Sequence, residues 1–191
     1  MEKVIFDISM SLDGFITAAN ARPEAGLGDG GERLHEWGFN SADPRNHEIM
    51  EWYGHTGANI FGRTGYDHSI INWGADGPSG AARVPTVIVS HSVPQDIPQG
   101  GVYSFVDSVE AAYETAKKLA GDRDIYITGA NVAQQFLKLG LIDEISIHLV
   151  PVLFGSGTRL FEHLESEHIS LEIIEVIQTA EAVHMRFRVV K

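Results

Sequence analysis

Cysteine is absent from all 191 residues. That excludes disulfides, thiolate metal sites and cysteine nucleophiles. No apolar run is long enough to cross a bilayer. Met-Glu-Lys leads directly into a strand pattern, so no secretory signal is expected. Positive charge is scarce: 14 Lys and Arg stand against 26 Asp and Glu, for a formal net charge of −12. Such a surface repels nucleic acid and anionic membranes. A phosphate-bearing ligand would have to be gripped by local devices: helix N-termini, backbone N–H groups and a few placed arginines. Long charge runs, low-complexity tracts, internal repeats and linkers are also missing. These absences lead to the expectation of a single cytoplasmic domain spanning 1–191. The nine histidines show neither His-Glu-X-X-His nor any other close ligand spacing, so no metal is expected. Gly-Ser-Gly at 155–157 lacks the Gly-X-Ser-X-Gly of a nucleophile elbow and reads as a turn.

What is present is ordinary for a globular chain, with 43% hydrophobic and 21% charged residues. The most informative stretch is Ile125–Val132. Four residues of strand character run into Gly129, and Val132, Ala133, Phe136 and Leu137 then recur at helical spacing until Gly140. The first N–H groups of a helix lack internal partners, and the dipole there is positive. A strand that turns through small residues into a helix can therefore hold a pyrophosphate. A bare strand-to-helix turn is the alternative.

Residues 3–10 read as a central strand with two largely apolar faces. Ser11-Leu12-Asp13-Gly14 is a turn, and residues 17–43 read as a long glycine-rich loop of the kind that is often functional. Within it, Trp37 and Phe39 either pin the loop to the core or line a substrate pocket. Asp43-Pro44 starts a helix whose apolar side is Ile49, Met50, Trp52 and Tyr53. Ala58–Phe61 is a short strand that turns through Gly62-Arg63-Thr64 into a short helix ending near Asp67, followed by loop over 69–83. Val84–Ser90 is a strand with Ser90-His91 at its end. Val102–Val106 is another, and Asp107 with Glu110 forms a capping box for the helix that Gly121 ends. A strand over 142–150 follows, in which His148 reads as a residue with a satisfied partner. Strands at 170–177 and 182–190 close the chain, the second strictly alternating and so antiparallel at or near a sheet edge. About eight strands and four helices give an α/β sandwich, mostly parallel, with an antiparallel C-terminal end. In such sheets ligands sit beyond the carboxyl ends of the strands, where the junctions at Arg63, Ser90 and Gly129 all lie.

Taken in order, Ser-Leu-Asp-Gly-Phe-Ile (11–16), Gly-Arg-Thr (62–64), Val-Ile-Val-Ser (87–90), Ile-Tyr-Ile-Thr-Gly-Ala (125–130), Gly-Leu-Ile-Asp-Glu-Ile (140–145) and Pro-Val-Leu-Phe-Gly-Ser-Gly (151–157) resemble the dihydrofolate reductase-like superfamily, in particular the branch that includes the reductase domain of riboflavin biosynthesis. The resemblance covers roughly residues 3–161. It implies a three-layer sandwich, a homodimer, and hydride transfer from NADPH, with NADH as the alternative, to a small pterin- or aminopyrimidine-like heterocycle. It also implies roles: Gly129, Ala130, Asn131 and Val132 at the pyrophosphate; Gly62, Arg63 and Thr64 at cofactor phosphates; Ser90 and His91 at a 2′-phosphate; Ser9, Ile16 and Thr17 beside the nicotinamide. Trp37 and Phe161 are candidates for the substrate pocket. The superfamily's carboxylate on the first helix points to Glu48 or Glu51 as the acid, with a solvated helix face as the alternative role of both; Asp13, Asp67 and bulk water are further candidates for the proton source. The sequence departs from the family where Ala130 stands in place of a second glycine, at Gly65, where a threonine hydroxyl is lost, and at His91, where an arginine is common. A riboflavin-pathway reductase would need groups for a ribityl phosphate, and no extra basic cluster supplies them. A non-catalytic nucleotide-binding or dimerisation module is the remaining alternative.

Overall fold

The structure, a computed structural model, describes residues 2–162, 164 and 168–191. Strand β1 (Val4–Ser11) lies deep in the sheet, with every residue but Met10 buried. Its alternation splits the chemistry of the molecule in two. Val4, Phe6 and Ile8 face one layer, and Ile5, Asp7, Ser9 and Ser11 face the other. The remaining strands are β2 (Ala58–Gly62), β3 (Thr86–Val89), β4 (Tyr103–Val106), β5 (Ile125–Thr128), β6 (Glu144–Val150), β7 (Leu171–Gln178) and β8 (Val183–Val189). They form one eight-stranded sheet in the order β4-β3-β2-β5-β1-β6-β8-β7. The first six are parallel; β8 is antiparallel to β6 and to β7. The expected mostly parallel sheet with antiparallel C-terminal strands is therefore observed.

Helices α4 (Val109–Ala120) and α5 (Ala130–Lys138) cover the apolar face. Ala112, Ala116, Ala133 and Phe136 pack there on Phe6, Ile60, Val87, Ile127 and Ile147. The other face is covered by α1 (Glu36–Phe39), α2 (Pro44–His55) and α3 (Arg63–Trp73). Trp37 and Ile49 pack there with Val150 and Ala182, and Tyr66 meets Tyr103 and Phe105 edge-on. This is the three-layer sandwich.

The caps explain several boundaries. Asp43 accepts from the Arg45 N–H, with Pro44 in the first turn of α2. Helix α4 is capped by Ser108, whose Oγ accepts from the Ala111 N–H, and not by Asp107. Gly121 ends it at φ 67°. Two stretches expected to be loop are partly helical. Residues 31–39 form a 3-10 turn running into α1, because Leu34 and Trp37 bury their side chains against the sheet. Helix α3 continues to Trp73, whose ring packs on Phe61. In both, burial of an aromatic or aliphatic anchor outweighs the glycine-rich composition.

Candidate functional site

Strands β3, β2 and β5 are adjacent and parallel, with Phe61 opposite Thr128 and Gly62 opposite Val89. Their carboxyl ends therefore share one rim, which carries Ser90, Arg63 and Gly129. Two helices start there. Gly62 precedes α3 and Gly129, at φ 101°, precedes α5; neither helix has a side-chain cap. The first N–H groups of both are left for a ligand or water. A Cβ at Gly129 would meet nothing within 4 Å, so the approach to α5 is open. Gly62 packs against Val132, where a Cβ would come within 3.1 Å of Cγ2.

Arg63 is held in place. Its Nε donates to Asp67 at 2.7 Å, and Nη1 donates to Ser90 Oγ at 3.3 Å, to the Ser92 carbonyl at 3.0 Å and to Ser92 Oγ at 3.2 Å. Asp67 is thus the guanidinium's partner. Thr64, His91 and Asn131 are exposed around this cluster, while Ala130 and Val132 are buried beneath it. Gly65, where the family's hydroxyl is lost, is exposed as well.

The rim continues to the end of β1. Ile16 donates its N–H to the Thr158 carbonyl, and the Thr17 hydroxyl accepts from the Thr158 N–H at 3.0 Å. Gly157 makes this approach feasible: at φ 142°, a Cβ would lie 1.9 Å from the Thr17 carbonyl oxygen. Asp13 anchors the same corner. It accepts from the Ser11 hydroxyl at 2.6 Å and from the Phe154 and Gly155 N–H groups. The Ser11 bond, followed by these backbone bonds, holds its carboxyl down at about 2. Asp13 is an ionised clasp, poorly suited to donate a proton. Ser9 is buried and accepts from the Trp37 indole N–H at 2.9 Å, so Trp37 both pins its loop and roofs the end of β1.

Three expected site residues lie elsewhere. Glu48 and Glu51 are exposed on the solvent side of α2, because Asn46 and Ile49 occupy its inward face. Phe161 packs edge-on against Phe6, on the face of the sheet opposite Trp37. The two candidates for the substrate pocket are therefore not brought together.

In place of a helix carboxylate, the α2 side of the sheet buries one on β1. Tyr53 donates its hydroxyl to Asp7 Oδ1, and Asp7 Oδ2 is 3.2 Å from His148 Nε2. His148 Nδ1 faces His184 Nδ1 at 2.7 Å, and His184 Nε2 faces Asn46 Oδ1 at 2.8 Å. Trp37 lies over both imidazoles, 4.4 and 4.7 Å between ring centroids. Burial raises the Asp7 carboxyl, but the charge and hydrogen bond of His148, with bonds from Tyr53 and Ser146, bring it below its usual value. Burial and then the neighbouring Asp7 charge push the Tyr53 hydroxyl well up. Burial, followed by the charge of His148, lowers His184 and His35 to about 4. Reading β1 as apolar on both sides missed this cluster. The available signal was that β1, β6 and β8 each put polar residues, Asp7, His148 and His184, at matching parity. Among the described residues no group of three or more His, Asp or Glu side chains is arranged to hold a metal ion.

The rim offers backbone donors and one fixed guanidinium for an anionic ligand; the buried acid–imidazole cluster lies farther along the sheet, on β1, β6 and β8. A nicotinamide dinucleotide fits these features: two uncapped helix N-termini for a diphosphate, an open glycine turn between strand and helix, and Arg63 for a further phosphate.

Comparison with known proteins identifies the family. The family model for the RibD C-terminal domain matches residues 2–185. Among curated proteins, none matches the sequence significantly. Solved structures do. A protein of Shewanella sp. PV-4 named for riboflavin biosynthesis is 25% identical, with a TM-score of 0.68 and 99% of each chain covered. The diaminohydroxyphosphoribosylaminopyrimidine deaminase/5-amino-6-(5-phosphoribosylamino)uracil reductase of Thermotoga maritima is 12% identical, with a TM-score of 0.64; the match covers 99% of this chain and 57% of that one. A pyrimidine reductase-like protein of Corynebacterium diphtheriae is 13% identical, with a TM-score of 0.66, and 100% of this chain and 92% of that one are covered. The resemblance read from the motifs is thus substantiated, and the chain belongs to the RibD C-terminal domain family.

Proposed function

We propose that this protein is an NADPH-dependent reductase that transfers a hydride to a small aminopyrimidine- or pterin-like heterocycle, with NADH as the alternative donor. The observation that carries the reading is the guanidinium of Arg63, fixed against Ser90 and Ser92 on the rim where α3 and α5 begin without side-chain caps. On an acidic molecule, that is where a cation and orphan N–H donors meet. In this reading the α5 N-terminus with Gly129 and Ala130 takes the diphosphate. Arg63 and Ser90, with Thr64 and His91 at the surface, take the phosphate that distinguishes NADPH. Ser9, Ile16 and Thr17 flank the nicotinamide. The bound cofactor would supply the hydride; the chain's own residues bind, orient and exclude water.

The T. maritima protein is named as a uracil reductase, and family membership makes that activity the leading specific candidate for the substrate. A homodimer is part of the same reading. Leu171, Ile173, Ile174 and Val176 on the edge strand β7 are exposed apolar residues that a partner would cover. No helix among the described residues is long and apolar enough to span a membrane.

The test is a thermal melt with and without NADPH or NADH, followed by NADPH consumption against a panel of aminopyrimidines and pterins. A raised melting temperature with turnover of one panel member is the expected result. No response to either dinucleotide would favour a non-catalytic module.

A further inference from the structure

The buried cluster under Trp37 has a hydrogen-bond order that can be read from one end. Asn46 sits between Glu181 and His184. One of its amide atoms is 3.1 Å from a Glu181 carboxylate oxygen and 2.8 Å from Ser41 Oγ; the other is 2.8 Å from His184 Nε2. A carboxylate only accepts. The atom facing Glu181 must therefore be the NH2, and the atom facing His184 must be the carbonyl oxygen. His184 Nε2 then carries a hydrogen. Since burial keeps His184 neutral, its Nδ1 is bare and accepts. The 2.7 Å contact then requires His148 to carry a hydrogen on Nδ1. At its other nitrogen, His148 faces both Asp7 Oδ2 and the Tyr53 hydroxyl at 3.2 Å, and the single Tyr53 hydrogen cannot serve both this contact and the shorter one to the second Asp7 oxygen. A bare nitrogen against a carboxylate would place two acceptors together in a dry site, which is costly. One more proton must lie between them, on His148 Nε2 or on Asp7.

We propose that Asp7 and His148 share one proton, fixed in place by Glu181 through Asn46 and His184, and that this proton joins the substrate when hydride arrives. The delivery step rests on the reductase reading; the shared proton does not. Asp7 precedes Ser9 by two residues on the same face of β1, directly beneath the nicotinamide edge of that reading. When hydride forms a C–H bond at the unsaturated carbon of a C=N group, the π pair moves to nitrogen. Asp7 supplies the proton for the new N–H bond and His148 refills Asp7 through Nε2. His148 is left neutral, with its Nδ1–H still donated to His184, and water restores the proton after release. Asp7 is the catalytic acid; His148, His184, Asn46 and Glu181 position its proton. The titratable groups facing the pair are His35, Tyr53, Tyr126 and His184, with Asp43 and Arg45 facing His184 in turn. None of them supplies a second acceptor to His148 Nδ1.

The primary test uses nitrogen-15 NMR of the histidine rings in the cofactor-free protein at neutral pH, assigned with His148→Gln and His184→Gln. The expected spectrum has His184 as the neutral Nε2–H form and His148 with Nδ1 protonated and Nε2 either protonated or hydrogen-bonded to an acid proton. Two neutral rings with the hydrogen of His184 on Nδ1 would overturn the proposal. Glu181→Gln, remote from the rim, removes the carboxylate that orients Asn46. It should switch both rings to that second pattern, slow single-turnover hydride transfer about tenfold, and leave NADPH affinity unchanged. An unchanged spectrum and rate would overturn the assigned chain of hydrogens. Asp7→Asn should slow transfer about 100-fold with NADPH still bound; an undiminished rate would refute delivery. Failure of the wild-type protein to bind either NADPH or NADH would refute the reductase reading and with it the delivery step, while the ring spectra would still decide the shared proton.

Discussion

His184 is 5% exposed, and burial with the neighbouring charge of His148 lowers it to about 4, against 6.5 for a free imidazole. A base lowered in the folded state is protonated first in the unfolded chain, so acid favours unfolding. Its contribution is complete above pH 6.5 and is lost as the pH falls through about 4. The separation of 6.5 and 4 corresponds to roughly 3 kcal/mol at 1.36 kcal/mol per unit. His35 is lowered to about 4 by the same causes, but its partial exposure makes its share smaller. Asp7, already below its usual 3.8, adds to acid loss only at lower pH. The window from pH 6.5 to 4 therefore belongs to the two histidines. Against a total stability on the order of 5–15 kcal/mol, a loss of this size is readily measured. Urea unfolding at pH steps from 6.5 to 4 should give a progressive decline in stability. His184→Gln should flatten more than half of that decline. A stability constant to within about 0.5 kcal/mol across the window would refute the buried, neutral assignment of His184.

Other substitutions test separate parts of the rim. Gly157→Ala should destabilise by roughly 2 kcal/mol or more, because the turn holds a positive φ and abuts the Thr17 carbonyl; a thermal melt within a degree of wild type would show that the turn relaxes freely. Trp37→Phe removes the indole hydrogen bond to Ser9 and part of a buried ring, and should cost about 2 kcal/mol in urea melts. Glu48→Gln with Glu51→Gln should leave stability within about 0.5 kcal/mol and turnover unchanged, since both side chains are in solvent; a large fall in turnover would return the acid to α2.

Much of the architecture was legible because apolar periodicity reports the face that helices cover. Helix α5, with Val132, Ala133, Phe136 and Leu137 buried, and the alternating β8 followed this rule. So did the convergence of Arg63, Ser90 and Gly129, which needs only parallel neighbours ending together. The polar face of the sheet did not. Asp7 read as one polar residue in an otherwise apolar central strand, His148 as a residue with a local partner and His184 as part of a polar strand face; only the order β1-β6-β8 brings them together beneath α2. The position of Phe161 depended on which face its loop returns to, which local pattern does not encode. Glu48 and Glu51 were credible because their helix was found, but a three-residue spacing leaves the buried direction open until Asn46 and Ile49 are seen to take it. Residues 31–39 read as loop because glycines dominate the flanks, whereas Leu34 and Trp37 supply the burial that orders them.

The claim on which the functional account turns is that Arg63 and the two bare helix starts grip a dinucleotide. Calorimetric titration of NADPH into the wild-type protein and Arg63→Ala tests it most directly. The expected result is saturable binding by the wild type, weakened by about 1.5–3 kcal/mol, or about 10- to 150-fold, in the variant, as for loss of hydrogen bonds to a charged group. Binding that is absent in the wild type, or equally tight in both proteins, would contradict it.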